Sequence, residues 1–307
     1  MKYKLVLLVI SVCLFGFKPP QKNAASTTQK LKLDQPQSGN NSLLWQISGN
    51  GLKQASYLFG TMHVISAEDY FLGKNTEKKL AQSDVLILEL DLDMKNINVA
   101  ALTSLSVLDS GKTIKNYLSD SDYALVRTFM VDSIGINKFT FEMFYAKLKP
   151  FYLEQLIYLQ KIGQEKELYE INLQKLANKK HTPILGLETF EEQLQFLETI
   201  PLNTQFNSIL KTIKEYTTES ETFDKLVNDY KAQDITALSK SIETEQDSIW
   251  NTNLLVKRNQ NWIPKLKLNM HQKACFIAVG AGHLGGQNGL IELLKKEGYT
   301  VEPISIN

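Results

Sequence analysis

Every position from Val85 to Leu88 is apolar, and beyond it acidic and apolar residues alternate through SDVLILELDLD. A run without a polar face suits a central strand covered on both sides. Upstream, LLWQISG and ASYLFGTMHV read as two strands joined by a turn around Gly49-Asn50-Gly51. Residues 74–82 are polar with spaced apolar positions and predict a helix. From about 95 to 262 the spacing turns helical. Ser119-Asp120-Ser121-Asp122 before YALVRTFM marks a helix start, with Gly135 near its end. PFYLEQLIYLQKIG, EKELYEINLQKLANKK, FEEQLQFLETI, SILKTIKEYTTESETFDKLVNDYKAQ and residues 235–262 continue the helical pattern, interrupted by a short strand in TPILGLE. The chain closes with the strand KACFIAVGAGH, the helix GLIELLKKEG and the strand TVEPISI. Strands at both ends with helices between predict an α/β fold: a mixed central β-sheet built from N- and C-terminal strands with a long helical insertion.

The first residues follow a different pattern. Lys2 and Lys4 precede a thirteen-residue apolar stretch, Leu5 to Phe17, and polar, proline-broken KPPQKNAAS follows. That stretch is short for a bilayer span and fits a secretory leader. Residues 1–25 therefore read as a signal peptide or anchor, 26–42 as a linker and 43–307 as one domain. The expected location is outside the cytoplasm, periplasmic or secreted, with membrane attachment only if residues 5–17 are retained. Cys13 follows Val12, too large for a lipidation signal.

Composition adds limits rather than an assignment. Hydrophobic residues make up 43% and charged residues 22%, an ordinary globular balance. With 34 Lys+Arg against 33 Asp+Glu there is no basic excess of the kind nucleic-acid binders show. Loss of residues 1–25 would leave 30 cationic against 33 acidic side chains and Cys275 as the remaining cysteine. Cys275 lies in ACFIAVG and reads as a small core residue rather than a nucleophile.

Three polar residues stand at comparable places. His63 ends YLFGTMH, Glu89 comes late in VLILELD, and His283 follows CFIAVGAGH. Open α/β sheets bind ligands outside the carboxyl ends of their strands, so three parallel neighbours would bring these residues to one crevice. Gly60-Thr61-Met62-His63 and Gly280-Ala281-Gly282-His283 share the pattern G-x-x-H. Glycine lets the chain turn sharply and approach a ligand closely. Two imidazoles and one carboxylate suit a hydrolytic divalent cation with positions left for water and substrate. A histidine after a strand is ordinarily a core or surface residue, and from pattern alone that reading stands level with a shared site. His181 and His271 lie in polar turns and read as solvated. H-E-x-x-H, G-x-S-x-G and the G-x-x-x-x-G-K-[ST] phosphate loop are absent from the sequence.

At YLFGTMHV, LILELD, ILGLETFEEQ, KRNQNW and AVGAGHLGGQNGLIELLKKEGYTVEPI the sequence resembles the TraB/GumN family, which includes the Tiki proteases and is similar to the erythromycin-esterase and ChaN-type folds. The resemblance runs from about Leu43 to Ile306. It implies a mixed α/β core and, for the Tiki branch, metal-dependent peptide hydrolysis with His63, His283 and Glu89 at the site. Arg258-Asn259 matches the family's Arg-Asn pair. Arg258 could clamp a substrate carboxylate or stabilise an oxyanion, or form a helix-surface salt bridge. Glu188 could support the site or act as a base, or cap the next helix. Glu170 stands where the family commonly has Asp, and no role is assigned to it.

The expectation is an exported metal-dependent hydrolase, a peptidase acting on a peptide or protein. Mn, Co or Zn would be held by His63, His283 and Glu89, with Glu89 as ligand or base. Arg258 or the loop N–H groups of Gly60, Gly280 and Gly282 would hold the oxyanion. The alternatives are a non-catalytic ligand- or peptide-binding module on the same fold, and a metal-free esterase using His63 as base. No nucleic-acid partner is expected.

Overall fold

The structure, a computed structural model, describes residues 41–90, 99–109, 111–243 and 251–307. The leader and linker readings and Cys13 lie outside the described residues. The strands are β1 (Leu44–Gly49), β2 (Ser56–Thr61), β3 (Val64–Ser66), β4 (Val85–Leu90), β5 (Lys166–Leu168), β6 (Ile184–Glu188), β7 (Cys275–Gly280) and β8 (Tyr299–Ile304). Six form one mixed sheet in the order β6-β4-β7-β2-β1-β8. β6, β4, β7 and β2 are parallel neighbours, while β1 pairs antiparallel with both β2 and β8.

Patterning explains the order. β2, β4 and β7 are buried at every residue, as strands covered on both faces must be. β8 alternates at its start, with Tyr299 and Val301 inward and Thr300 and Glu302 outward, as an edge strand does. Gly49 and Gly51 take positive φ at the β1–β2 turn, where the sequence places it. Cys275 is buried in β7, and burial raises its thiol to about 11, so it is a core residue with little thiolate character.

The helical middle is present with three differences. EKELYEINLQKLANKK is helical only from Tyr169. Its first part, Lys166–Leu168, is β5, paired antiparallel with β3. Nonlocal pairing with Val64–Ser66 overrides the local helical spacing there. The expected single helix through residues 208–233 breaks at Glu215 into Leu202–Lys214 and Tyr216–Lys231. Within 235–262, Ile235–Glu243 is a helix, 244–250 lie outside the described residues, and a wide π-type turn, Thr252–Val256, leads into the helix Lys257–Gln272. Ser119 caps the helix Asp120–Thr128 by accepting from Asp122 N, as the sequence predicts. No helix among the described residues is long and apolar enough to cross a membrane.

The layers meet above the carboxyl ends of the parallel strands. One core cluster packs both faces of the sheet. A second joins Leu90 at the end of β4 to Phe151 and Tyr152 of the helix Pro150–Ile162, Phe190 of the helix Phe190–Glu198, and Leu254.

Candidate functional site

Because β2, β7 and β4 are parallel neighbours, the two G-x-x-H loops and Glu89 emerge at the same sheet edge. β2 stops at Thr61, and His63 follows two residues later. His283 closes a single 3₁₀ turn, Ala281–His283, directly after β7. All three side chains are buried. Glu89 Oε1 lies 3.6 Å from His63 Nε2 and 3.7 Å from His283 Nε2.

Each imidazole is fixed from behind. His63 Nδ1 lies 2.6 Å from Glu170 Oε1, which also accepts from Thr61 Oγ1 at 2.7 Å. The backbone holds this arrangement: Tyr169 N donates to the His63 carbonyl at 3.3 Å, beside the short β3–β5 ladder. His283 Nδ1 lies 2.6 Å from Asn259 Oδ1. Asn259 Nδ2 donates to the carbonyls of His283 and Asn288, so its Oδ1 is the acceptor and His283 Nδ1 carries the proton. Both Nε2 atoms then face Glu89.

Arg258 is completely buried, and its reading as a helix-surface salt bridge is overturned. Its Nη2 donates to Glu89 Oε2 at 2.6 Å. Nε donates to both oxygens of Glu188, at 3.0 and 2.9 Å. Nη1 donates to the carbonyl of Leu254, inside the π-type turn, at 3.2 Å and lies 3.4 Å from His283 Nε2. The guanidinium is committed to these groups as the structure stands. Trp262 Nε1 donates to Glu188 at 2.8 Å, its ring stands 4.5 Å from that of His283, and the guanidinium lies over its face at 4.8 Å. Glu188 does not cap the next helix. Thr189 and Glu192 do so as a capping box.

The charges sort the protons. Burial pushes the Glu89 carboxyl up, but Arg258 and the two imidazoles outweigh it and bring the pKa down to about 2. Burial raises Glu188, and Arg258 offsets this only in part. Burial lowers His283 to about 3, helped by Arg258. Burial also lowers His63, but Glu170 and Glu89 outweigh it and the net shift is upward. Two imidazoles facing one carboxylate are thus driven in opposite directions by their other neighbours.

Glycines let these loops close. A Cβ on Gly280 would meet His63 Nε2 at 3.0 Å and Glu89 Oε1 at 3.3 Å, while Gly280 N donates to that oxygen at 2.8 Å. A Cβ on Gly60 would meet Leu284 Cδ2 at 3.0 Å and Ala281 Cβ at 3.1 Å. Gly282 borders a small surface pocket with Asn251, Asn259 and Asn288. Gly280→Ala is expected to fold with a loss of about 1–3 kcal/mol, because the added methyl must push apart the two side chains it meets. Urea unfolding checks this, and a loss confined to a few tenths of a kcal/mol would show that the site relaxes freely.

Sequence reasoning did not assign Glu170. Its signal was the acidic position in the family-like run, which carries Glu here. His181 is exposed at positive φ, as a polar turn residue. His271 is exposed, with Nε2 3.3 Å from Tyr299 Oη. Neither approaches the site.

Whether the cluster suits a divalent cation is decided by its donors. His63 Nε2 is buried without a hydrogen-bond partner, and a buried polar atom of that kind calls for a guest. Histidine ligands are typically oriented by a carboxylate or carbonyl on the other ring nitrogen, the arrangement Glu170 and Asn259 provide. Among the described residues no three His, Cys, Asp or Glu side chains enclose a cation as they stand. The donor chemistry nonetheless fits a cation sharing Glu89 with Arg258.

The sequence profile of the TraB/PrgY/gumN family matches residues 43–303. The chain belongs to that family. Metalloprotease TIKI1 of Homo sapiens is 23% identical over 96% of this chain and 68% of its own length. Metalloprotease TIKI1 of Danio rerio is 24% identical over 87% of this chain and 64% of its own length. The metalloprotease TIKI homolog of Nematostella vectensis is 24% identical over 98% and 75%. The chain thus spans about two thirds of the length of the first two relatives. No solved structure matches it. Within this TraB/PrgY/gumN chain, the paired G-x-x-H loops and Glu89 form one cluster at the carboxyl edge of the sheet.

Proposed function

We propose that this protein is an exported metal-dependent peptidase whose centre is His63, His283 and Glu89. One observation carries the reading: two buried imidazoles, each with Nδ1 tied to its own acceptor, turn their Nε2 atoms to the same carboxylate oxygen. The distant likeness to proteins named metalloproteases supports it. His63 Nε2, His283 Nε2 and Glu89 Oε1 would hold Mn, Co or Zn. When bound, such an ion supplies a water of lowered pKa and polarises a scissile carbonyl.

The chain's own groups divide the remaining work. Glu89, ionised down to about pH 2, is a poor proton acceptor near neutrality and is assigned as ligand rather than base. Arg258 positions Glu89 by holding Oε2, which leaves Oε1 toward the histidines. Glu188 and Trp262 hold Arg258 in turn. Glu170 and Asn259 fix the imidazole tautomers.

The test is the metal content of purified 26–307 beside His63→Ala and His283→Ala, after dialysis and after loading with Mn, Co or Zn. Near-stoichiometric metal in the wild type is expected, lost in both variants while their circular dichroism stays native. Peptide-library cleavage stopped by chelation then completes the reading. No metal under any loading, or metal kept by both variants, would overturn it and leave the binding module. Hydrolysis that survives chelation would favour the metal-free esterase.

A further inference from the structure

Among the described residues five large apolar side chains are exposed, and three of them fall within six positions. Phe139 is 70% exposed, Met143 43% and Phe144 64%. Single apolar residues scattered over a surface are ordinary, whereas a group of them marks a place of contact.

The chain builds a platform that holds these side chains out. Asn137 caps the helix Lys138–Met143, its Oδ1 accepting from Phe139 N and Thr140 N. Phe139 and Met143 are four residues apart, so they share one side of that helix. Phe141, between them, is fully buried and packs in a third core cluster with Val126 and Met130. Phe144 ends the helix, and buried Ala146 anchors the turn Tyr145–Lys147 that follows. One phenylalanine of the segment thus fixes the platform from below, while two stand in solvent.

The charges around the patch favour a cationic contact. Glu142 lies on the same helix, but Arg127 Nε and Tyr123 Oη each donate to it at 2.7 Å. Lys138 and Lys147 are exposed at the two ends of the segment. Lys149 is engaged by Glu198, and Asp132, exposed on the turn before the helix, opposes the two lysines in part.

We infer that Phe139, Met143 and Phe144, with Lys138 and Lys147, form a docking surface for an anionic lipid bilayer. Apolar side chains enter the acyl boundary and lysines stay with the headgroups, as in segments that lie in a membrane interface. A bilayer requires no matched donors and acceptors, and the patch offers few: Asn137 is spent on its cap, and Tyr123 and Arg127 on Glu142. A helix of six residues rests on a membrane and does not span it. The sequence places membrane attachment in residues 5–17, if they are retained. This patch gives the folded domain a contact of its own, and the inference does not depend on the peptidase reading.

The test is sedimentation of 26–307, which contains every described residue and lacks the apolar stretch 5–17, with vesicles of phosphatidylcholine or of phosphatidylcholine and phosphatidylglycerol in equal parts. Expected is binding to the mixed vesicles at millimolar lipid, weakened about tenfold or more in Phe139→Ser/Phe144→Ser. Added salt, Lys138→Gln/Lys147→Gln, or omission of phosphatidylglycerol should each weaken it as well. Both double variants change exposed side chains only, so their melting temperatures are expected to stay close to that of the wild type. No binding to the mixed vesicles, or binding unchanged in the folded phenylalanine variant, would overturn the inference. Self-association lost in that variant, without vesicle binding, would overturn it in favour of a second copy of the chain.

Discussion

Arg258→Met is expected to cost about 3–5 kcal/mol of unfolding free energy, measured by urea titration near neutral pH. The guanidinium is the cation that faces both Glu89 and Glu188, at 2.6 and 2.9 Å, and all three side chains are buried. Methionine fills much of the space but leaves two carboxylates sharing an apolar site. One of them must take up a proton. Glu188 does so first, since burial already raises its pKa against the pull of Arg258. Folded-state carboxyl pKa values in the variant lie above their unfolded values. Its stability therefore rises as pH falls through that range, whereas in the wild type Glu89 contributes the opposite slope. Adding Glu188→Gln to Arg258→Met is expected to recover a substantial part of the loss. A cost below about 1 kcal/mol in the single variant, typical of exposed ion pairs, would refute this account of the cluster.

Glu89→Gln carries the second large effect, and it separates stability from chemistry. Arg258, His283 and His63 more than offset burial and hold the Glu89 pKa at about 2, below its ordinary 4.5. That depression corresponds to about 3 kcal/mol. It is present in full above pH 4.5 and is lost as pH falls toward 2. Glutamine has no such dependence, so the difference between wild type and variant should shrink across that window. On the proposed function, Glu89→Gln removes an anionic ligand, so metal content and peptide turnover both fall at neutral pH in variant protein that is still folded. Turnover that only follows the folded fraction would assign Glu89 to structure alone.

Much of this arrangement is legible in the sequence because it rests on local pattern. VLILEL has no polar face until Glu89, so the strand and its one functional residue are read together. The paired G-x-x-H loops announce His63 and His283, and parallel strands supply the reason they meet. The partners of these residues are not legible in the same way. VKRNQNW reads as a polar helix surface, and only two carboxylates from distant strands explain why Arg258 lies inside. Glu170 reaches His63 because a three-residue ladder pulls Tyr169 against the His63 carbonyl. No hydrophobic period encodes a ladder that short. The break at Glu215 is likewise a matter of tertiary packing, since the helical spacing passes through it without interruption.

The position of β7 has a consequence for how the molecule forms. β2 and β4 do not touch as partners; β7, made about two hundred residues later, slots between them. The sheet cannot zip up in order of synthesis, and the closure entropy of that long loop falls before its pairing returns anything. Folding should therefore be slow and concerted around β7, with near-native helix content in the middle of the chain preceding a completed sheet. In a stopped-flow experiment, far-ultraviolet signal would recover ahead of Trp262 fluorescence, because Trp262 reports the arrival of His283 at its ring.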